Sequence, residues 1–238
     1  MNSLIPRLIC ICICLAASLV TMPAQLHGKP LEVRGERFDF GHVPFGSTIK
    51  HRVMLFNRGV QVIKITRVNA GCACTQIPLT KREIAPGDSL GVDLILDTSK
   101  IHKGLFQKAP MIYTDNVESP RVTVTLVGYN LGAEEHGPRI KVQPGAVVFN
   151  RDDGIKKQVV HIQNGTSLDL RPQVVALPEA NVVEITMPQR VIRPNHSDSI
   201  MVTLSQTPAQ QALTNESFTF YFNDNKNTRF TIPITIIR

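Results

Sequence analysis

The feature that most constrains this chain is an internal repeat. Three pairs of matching segments lie the same 108 residues apart, namely Arg82-x-x-x-Pro86 with Arg190-x-x-x-Pro194, Tyr113 with Tyr221, and Arg121-Val-Thr-Val with Arg229-Phe-Thr-Ile. Asn57 and Asn164, and likewise Phe40 and Phe149, fall within one residue of that offset. A repeat of this length has the size of a small domain, so the chain is interpreted as two copies of one module.

Each copy has the pattern of short strands separated by turns. In the first copy, segments rich in Val, Ile, Leu and Thr span residues 47–57, 61–68, 89–96, 106–114 and 121–127. Val122, Val124 and Leu126 alternate with threonines, which predicts one buried and one solvated face. About seven strands per about 100 residues predict an all-β fold of two tandem immunoglobulin-like β-sandwich domains. We expect no sheet to run across the linker between them.

The amino-terminal segment has the pattern of a secretory signal. Arg7 precedes a 13-residue apolar run from Leu8 to Val20, and Ala24 is a small residue suited to cleavage. The run is shorter than the roughly 20 residues that span a bilayer. We therefore predict a signal peptide at 1–24, a first domain with the Cys-x-Cys motif at 29–130, a linker at 131–138 and a divergent second domain at 139–238. The expected location is periplasmic or extracellular, or else anchored by an uncleaved amino-terminal segment.

Cleavage would leave two of the five cysteines, Cys72 and Cys74. Side chains two apart on an extended strand have Cβ atoms about 6 to 7 Å apart, whereas a disulfide needs about 3.8 Å, so a bridge requires a kinked backbone. Gly71 can adopt unusual backbone torsions, and Ala73 is small enough for a tight loop. Such a bridge would stabilise little, because it closes a very short loop. We expect the pair at a strand end, at least partly exposed, with the sulfurs close enough to bridge or to share an ion.

Several chemistries remain open for this pair. The cysteines can pack as buried thiols or an inert bridge, act as a redox couple, or bind a soft ion such as Cu(I) through two thiolates. Nearby cations at Lys64, Arg67 and Lys81 would depress a thiol pKa if they folded over the site. A structural zinc site is disfavoured because structural zinc is coordinated by four ligands. The candidate histidines lack paired spacing, and they are His42, His51 and His102.

An ordered series of motifs lies between residues 38 and 128. It consists of the signature Gly71, Cys72, Ala73, Cys74 and Thr75, and the structural positions Phe38, Phe40, Gly41, Gly46, Asn57, Gly59, Pro86 and Gly87. This series resembles a widespread exported bacterial family, whose members share a domain of unknown function with a Ser/Gly-Cys-x-Cys-Thr signature and resemble the immunoglobulin-like folds of major sperm protein and of the abnormal-spindle and hydin group. The resemblance implies export and this fold, with no established activity. The second copy lacks the cysteines, with Ala180 and Val182 at the matching places.

Enzyme signatures are missing from the sequence. It has no Gly-x-Ser-x-Gly, no His-Glu-x-x-His and no phosphate-binding glycine loop, so we expect no catalysis apart from a thiol-redox role. Residues 29–133 carry a net charge of +5, and residues 134–238 carry +1. In an exported protein this excess suits anionic envelope surfaces or acidic partners better than nucleic acid, because no basic stripe with interleaved aromatic residues exists to stack bases. A solvated basic surface with no specific partner is the favoured interpretation.

Three function classes follow from these observations. The leading one is an exported non-catalytic interaction or scaffold protein of the bacterial cell envelope, whose sheet edges and loops bind an envelope or extracellular protein by strand addition. The first alternative is a thiol-redox or Cu(I)-binding protein that acts through Cys72 and Cys74. The second is a periplasmic chaperone-like protein. No cofactor is expected, except Cu(I) under the first alternative. Membrane contact is expected only if the signal segment is retained.

Overall fold

The structure of the chain is a computed structural model that describes residues 29–132, 139–179, 181–205 and 213–237. The predicted signal peptide and residues 133–138 of the predicted linker lie outside these ranges. Within the described residues, no helix is long and apolar enough to cross a membrane. The structure confirms the predicted all-β class: apart from two single-turn 3-10 helices at Thr98–Lys100 and Arg151–Asp153, the regular elements in these ranges are strands.

The first module contains eleven strands in its described residues. They are β1 (Leu31–Arg34), β2 (Arg37–Pro44), β3 (Thr48–Asn57), β4 (Ile63–Asn69), β5 (Thr75–Gln76), β6 (Glu83–Ile84), β7 (Ser89–Asp97), β8 (Gly104–Lys108), β9 (Met111–Thr114), β10 (Arg121–Thr123) and β11 (Thr125–Leu131). One layer has the order β1-β3-β7-β5, and the other is formed by β10-β9-β4-β6 together with β2-β11-β8. Val122, Val124 and Leu126 are buried between the layers, as the alternation predicts.

The second module repeats this arrangement with eight described strands. They are β12 (Ile140–Gln143), β13 (Val147–Asn150), β14 (Lys157–Asn164), β15 (Pro172–Ala176), β16 (Val183–Thr186), β17 (Ser197–Leu204), β18 (Leu213–Phe222) and β19 (Arg229–Ile237). One layer has the order β12-β14-β17-β16, and the other contains β15, β18, β19 and β13. Each module has its own apolar core, with Phe40 at 0% exposure in the first and Phe149 at 0% in the second.

The repeat extends to individual hydrogen bonds. Asn57 is fully buried, and its Nδ2 donates to the carbonyl oxygens of Gln61 and Ile84 at 2.7 and 2.8 Å. Asn164 is also fully buried and makes the same pair of bonds at the same distances, to carbonyls 107 and 108 positions further along the chain. A buried amide must have its donors satisfied, so the same residue is needed at the same corner of each sandwich.

One expectation about the sheets is wrong, because a single sheet does run across the two modules. Its order is β15-β18-β19-β2-β11-β8, and the modules join where Phe230 of β19 pairs with His42 of β2. The Thr231 hydroxyl of β19 donates to the Phe40 carbonyl at 2.6 Å. The alternation of apolar and polar residues along a strand indicates which face of that strand is buried. It does not indicate which strand is its neighbour in the sheet, so the sequence pattern could not predict this junction.

The junction explains why the second module buries polar side chains. Strands β18 and β19 are covered on one face by their own core and on the other by the first module, so most of their residues are buried. Glu216, Ser217, Thr219 and Thr231 are each 6% exposed or less. Glu216 and Ser217 bond to Lys50 of the first module, while Thr219 bonds to Thr231, whose hydroxyl donates to the Phe40 carbonyl. Burial of both faces removes the alternation expected of a strand with one solvated face.

Candidate functional site

The Cys-x-Cys signature lies where the chain crosses from one layer of the first sandwich to the other. Strand β4 ends at Asn69, and β5 starts at Thr75 on the edge of the opposite layer, beside β7. Gly71 has φ +77°, a left-handed conformation that favours glycine, and its N–H donates to Asn69 Oδ1 at 2.9 Å. The Asp97 N–H donates to the Cys74 carbonyl at 2.9 Å, which fixes the end of the crossover to β7.

Cys72 and Cys74 form a disulfide across this crossover, with Cα atoms 5.1 Å apart. The pair directly precedes β5, at a strand end as expected. Cys72 is half-buried, whereas Cys74 is only 3% exposed and belongs to the apolar core. Of the two cysteines, only Cys72 is partly exposed to solvent, as expected of the pair.

The signature threonine contacts both sulfurs. Thr75 Oγ1 lies 3.3 Å from Cys72 Sγ and 3.7 Å from Cys74 Sγ. Disulfide sulfurs carry no hydrogen, so the hydroxyl of Thr75 is the donor in both contacts. Thr75 is 5% exposed, which keeps water from competing for that hydroxyl. The sequence marked this residue only as part of a motif, and the contact gives it a role as a hydrogen-bond donor to the sulfurs.

The cations that are near in sequence have other partners. Lys64 Nζ lies 3.0 Å from Glu83 Oε1, and the Arg67 guanidinium stacks over the Tyr113 ring at 4.1 Å from its centroid. In the described part of the chain, neither these residues nor Lys81 forms a hydrogen bond to either sulfur.

The three candidate histidines are dispersed over the first module. Burial lowers the pKa of His51, which stacks on Phe38 at 4.1 Å between ring centroids and bonds through Nε2 to the Gly35 carbonyl at 2.9 Å. His102 Nε2 bonds to the carbonyl of Leu105 at 2.9 Å. His42 lies beside the Phe230 ring at the module junction. Within the described ranges, no group of three or more His, Cys, Asp or Glu side chains is arranged to hold a metal ion.

The structural motif positions surround the crossover and the module junction. Phe38 and Phe40 pack edge to face with centroids 4.9 Å apart. Gly41 has φ +63°, and a Cβ there would overlap the carbonyl of Arg229. Gly46 lies in the turn that joins β2 to β3. The other positions surround the buried Asn57: the Gly59 N–H donates to Asn57 Oδ1 at 3.0 Å, and the N–H of Gly87, which follows Pro86, donates to the Asn57 carbonyl at 2.9 Å.

The crossover leaves one strand with an open edge, which no sequence pattern predicts. Strands β8 and β9 are consecutive, and β9 pairs with β4 on one side and β10 on the other. Beyond Asn69 the chain leaves for the other layer, so β8 has no neighbour corresponding to β4. Among the described strands, β8 pairs with β11 alone and ends the seven-stranded sheet. Gly71 borders this edge, since a Cβ at Gly71 would lie 3.8 Å from the Ala109 carbonyl.

A groove of about 970 Å³ adjoins this open edge. It runs over the outer face of β8, β11 and β2 and reaches the turn between β18 and β19. Leu105 of β8 is 78% exposed, and Tyr129 lies opposite it on β11. Three charged side chains also line the groove, and they are Asp39, Lys226 and Arg229.

A charged cluster between β3 and β18 holds the modules together. Lys50 Nζ pairs with Glu216 and lies 3.9 Å from Asp93 Oδ2. The hydroxyl of Ser217 donates to the Lys50 carbonyl at 3.0 Å and accepts from the Lys50 N–H at 3.1 Å. Burial raises the pKa of Glu216, and the Lys50 ammonium offsets this only in part. Arg52 bridges Asp93 of the first module and Glu179 of the second.

Comparisons with solved structures return proteins of low sequence identity and low structural similarity. A protein of unknown function from Porphyromonas gingivalis W83 is 12% identical, with 88% of this chain and 100% of that chain covered and a TM-score of 0.36. The ASH/PapD-like domain 7 of human CEP192 is 13% identical over 50% of this chain and 98% of its own, with a TM-score of 0.38. The YadV chaperone is 10% identical over 86% and 98%, with a TM-score of 0.33.

Comparisons of sequence point to the first module alone. No curated protein matches the chain. A family profile matches the segment that contains the motif series, the disulfide crossover and the open strand β8. This segment, residues 31–129, is similar to the family described as "Protein of unknown function (DUF1573)".

Proposed function

We propose that this protein is an exported, non-catalytic interaction protein of the bacterial cell envelope, which holds an extended segment of a partner protein against strand β8. The observation that carries the proposal is the edge of β8 beside a groove with an exposed leucine. This edge pairs with no second described strand, although His102 Nε2 bonds to the Leu105 carbonyl. An unpaired strand edge offers a row of backbone donors and acceptors to an incoming strand, while the neighbouring face selects its side chains.

The character of β8 supports a binding role over an accidental edge. Proteins commonly protect exposed edges with lysine, with proline, with inward-pointing charges or with a covering loop, and β8 has a lysine at its last position, Lys108. Leu105 lies near the middle of β8 and is 78% exposed, and Gln107 beyond it is an uncharged residue. Another terminal strand of the same sheet, β13, exposes Val148 at 48%, but none of its residues lines the groove beside β8.

The remaining parts of the proposal follow from the sequence. The signal-like segment before residue 25 favours a periplasmic or extracellular location, with an anchored form if the segment is retained. The partner is an envelope or extracellular protein and not a nucleic acid, and no cofactor or catalytic step is needed. A periplasmic chaperone-like protein would use the same edge, but it would release the segment instead of retaining it.

Peptide selection tests the binding role. A library of random dodecapeptides displayed on phage is selected on the purified protein, and the affinity of the best synthetic peptide is measured by fluorescence polarisation. We expect Leu105→Asp to weaken that peptide at least tenfold, because a charge replaces the apolar contact beside the added strand. Val148→Asp on β13 serves as the matched control and should leave the affinity unchanged. The proposal fails if no peptide is selected, or if both variants bind as well as the original protein.

A thiol-redox or Cu(I)-binding role is the second candidate. Half-exposed Cys72 is accessible to an attacking thiolate, which would form a mixed disulfide with Cys72 and displace Cys74 as the leaving thiolate. The Thr75 hydroxyl, 3.7 Å from Cys74 Sγ, would stabilise that thiolate. Reduction by a dithiol would transfer two electrons and two protons, breaking the sulfur–sulfur bond and giving two thiols. The reduced pair would then offer two soft ligands to Cu(I).

Redox titration tests this second role. The purified protein is equilibrated with dithiol buffers, and its free thiols are trapped with an alkylating reagent. A reversible two-electron transition, followed by binding of one Cu(I) ion to the reduced form, would support it. If the disulfide of the folded protein resists reductant and alkylation at every buffer potential, the pair is a structural element only.

A further inference from the structure

We infer that the segment held on β8 is acidic, with a carboxylate that pairs with Lys226 and an apolar side chain that packs on Leu105 and Tyr129. This inference rests on the proposed function, since it names the partner chemistry of the same edge and groove.

The charges along the groove are unequal. Asp39 is its one acidic lining residue in the described part of the chain, and its Oδ1 accepts the Gly41 N–H at 2.8 Å. Arg229 is tied to the same residue, because its Nη1 donates to the Asp39 carbonyl at 2.9 Å and lies 4.0 Å from Asp39 Oδ2. Lys226 is exposed and forms no salt bridge with any described residue. The groove therefore has one positive charge that is not neutralised, at its second-module end.

The spacing of the strands fits an extended ligand. Side chains alternate along a strand, so Leu105 and Gln107 share one face of β8, and they lie beside Tyr129 and Val127 of β11. A strand added to the open edge would direct every second side chain toward this face. An apolar residue would meet Leu105, while an acidic residue further along would approach Lys226 across the groove.

The positive charge of the first module favours a negatively charged partner segment. The first module, which supplies most of the groove, carries a net charge of +5, so an acidic segment is also favoured over a basic one at longer range. Rim charges of this kind mainly govern partner choice and association rate, and they weaken as salt screens them. Binding should therefore depend on ionic strength.

The test compares the peptides selected from the dodecapeptide library by the original protein and by Lys226→Glu. We expect the original protein to enrich Asp and Glu at least threefold over the starting library, and the variant to lose that enrichment. The affinity of the best acidic peptide should fall about tenfold in the variant and should become less sensitive to salt. Lys141→Glu, an exposed lysine on β12 in the second module, is the control with the same change in net charge and should bind normally.

The outcomes separate this inference from the proposed function. Peptides that require Leu105 but show no acidic preference would overturn the inference and leave the binding role intact. An equal loss in Lys226→Glu and Lys141→Glu would show that only net charge matters, which also overturns it. If Leu105→Asp binds as tightly as the original protein, the proposed function itself fails. Circular dichroism of each variant confirms that a loss of binding is not a loss of folding.

Discussion

Individual residues at the crossover and the junction are constrained by their backbone as much as by their side chains. Gly71 and Gly41 both have positive φ, but only Gly41 is also in contact with the other module. Thr75 is the first residue of β5, and this position places its hydroxyl against the disulfide. These positions show which local geometry the motif encodes: a left-handed turn, a short bridge and a buried donor.

Replacing Gly41 tests the tight contact between the modules. In Gly41→Ala, the new Cβ would combine a left-handed conformation with overlap on the backbone of Arg229, so we expect a loss of about 2 to 4 kcal/mol in the free energy of unfolding. Gly46→Ala is the control, because Gly46 has a similar φ of +75° but open space around it. That variant should lose only about 1 kcal/mol. Equal losses in urea unfolding would show that the contact at Gly41 is not tight.

The buried histidine predicts a pH dependence. Burial lowers the pKa of His51, so the folded protein binds the proton less readily than the unfolded chain does. The stability contributed by neutral His51 is therefore present above its unfolded pKa of about 6.5 and is lost as the pH falls below that value. We expect the free energy of unfolding to decrease less between pH 7 and pH 5 in His51→Gln than in the original protein. Parallel curves for the two proteins would contradict this assignment.

At the scale of elements, local pattern predicts the strands but not their order. The five predicted segments correspond to β3, β4, β7, β8 with β9, and β10 with β11. The last two segments are each divided in two, because β8 and β11 belong to the sheet shared by both modules while β9 and β10 pair elsewhere. The cysteines and their glycine could be identified from the sequence alone. The open edge of β8 could not, because it depends on where β4 leaves the sheet.

The disulfide variants separate the bridge from the burial of its sulfurs. The short loop alone suggests a cost of about 1 kcal/mol or less for Cys72→Ser with Cys74→Ser. Cys74 is only 3% exposed, however, so a hydroxyl there adds a desolvation penalty and we expect a total of about 1 to 3 kcal/mol. Cys72→Ser with Cys74→Ala avoids that penalty and should be the more stable of the two in urea unfolding. If this second variant is unfolded and the original pair also resists reductant and alkylation in the folded protein, the pair is core structure and the redox and Cu(I) roles both fail.

At the scale of the whole molecule, the two modules are held together by a shared sheet and a buried ion pair. Lys50 and Glu216 have side chains that are 12% and 3% exposed, and they connect β3 to β18. Such a pair makes little net contribution relative to apolar residues of similar size, but removal of one partner leaves a buried charge. The pair is therefore expected to restrict the modules to one arrangement more than to stabilise either of them.

A set of variants at this pair tests that view. We expect Lys50→Met to lower the free energy of unfolding by about 2 to 4 kcal/mol, because Glu216 then loses its partner in a buried site. Combining Lys50→Met with Glu216→Leu should restore stability to within about 1 kcal/mol of the original protein. Urea unfolding of both variants provides the comparison. A double variant as unstable as the single one would mean that the ion pair itself stabilises the junction.

Amide hydrogen exchange is the most direct test of the central claim that β8 receives an extended partner segment. The exchange of Gly104–Lys108 is measured in the free protein and with the selected dodecapeptide bound, with strand β13 (Val147–Asn150) as the internal reference. An added strand bonds to backbone groups on the open edge, so exchange on β8 should slow at least tenfold while exchange on β13 stays unchanged. Unchanged exchange on β8 at saturating peptide would contradict the account.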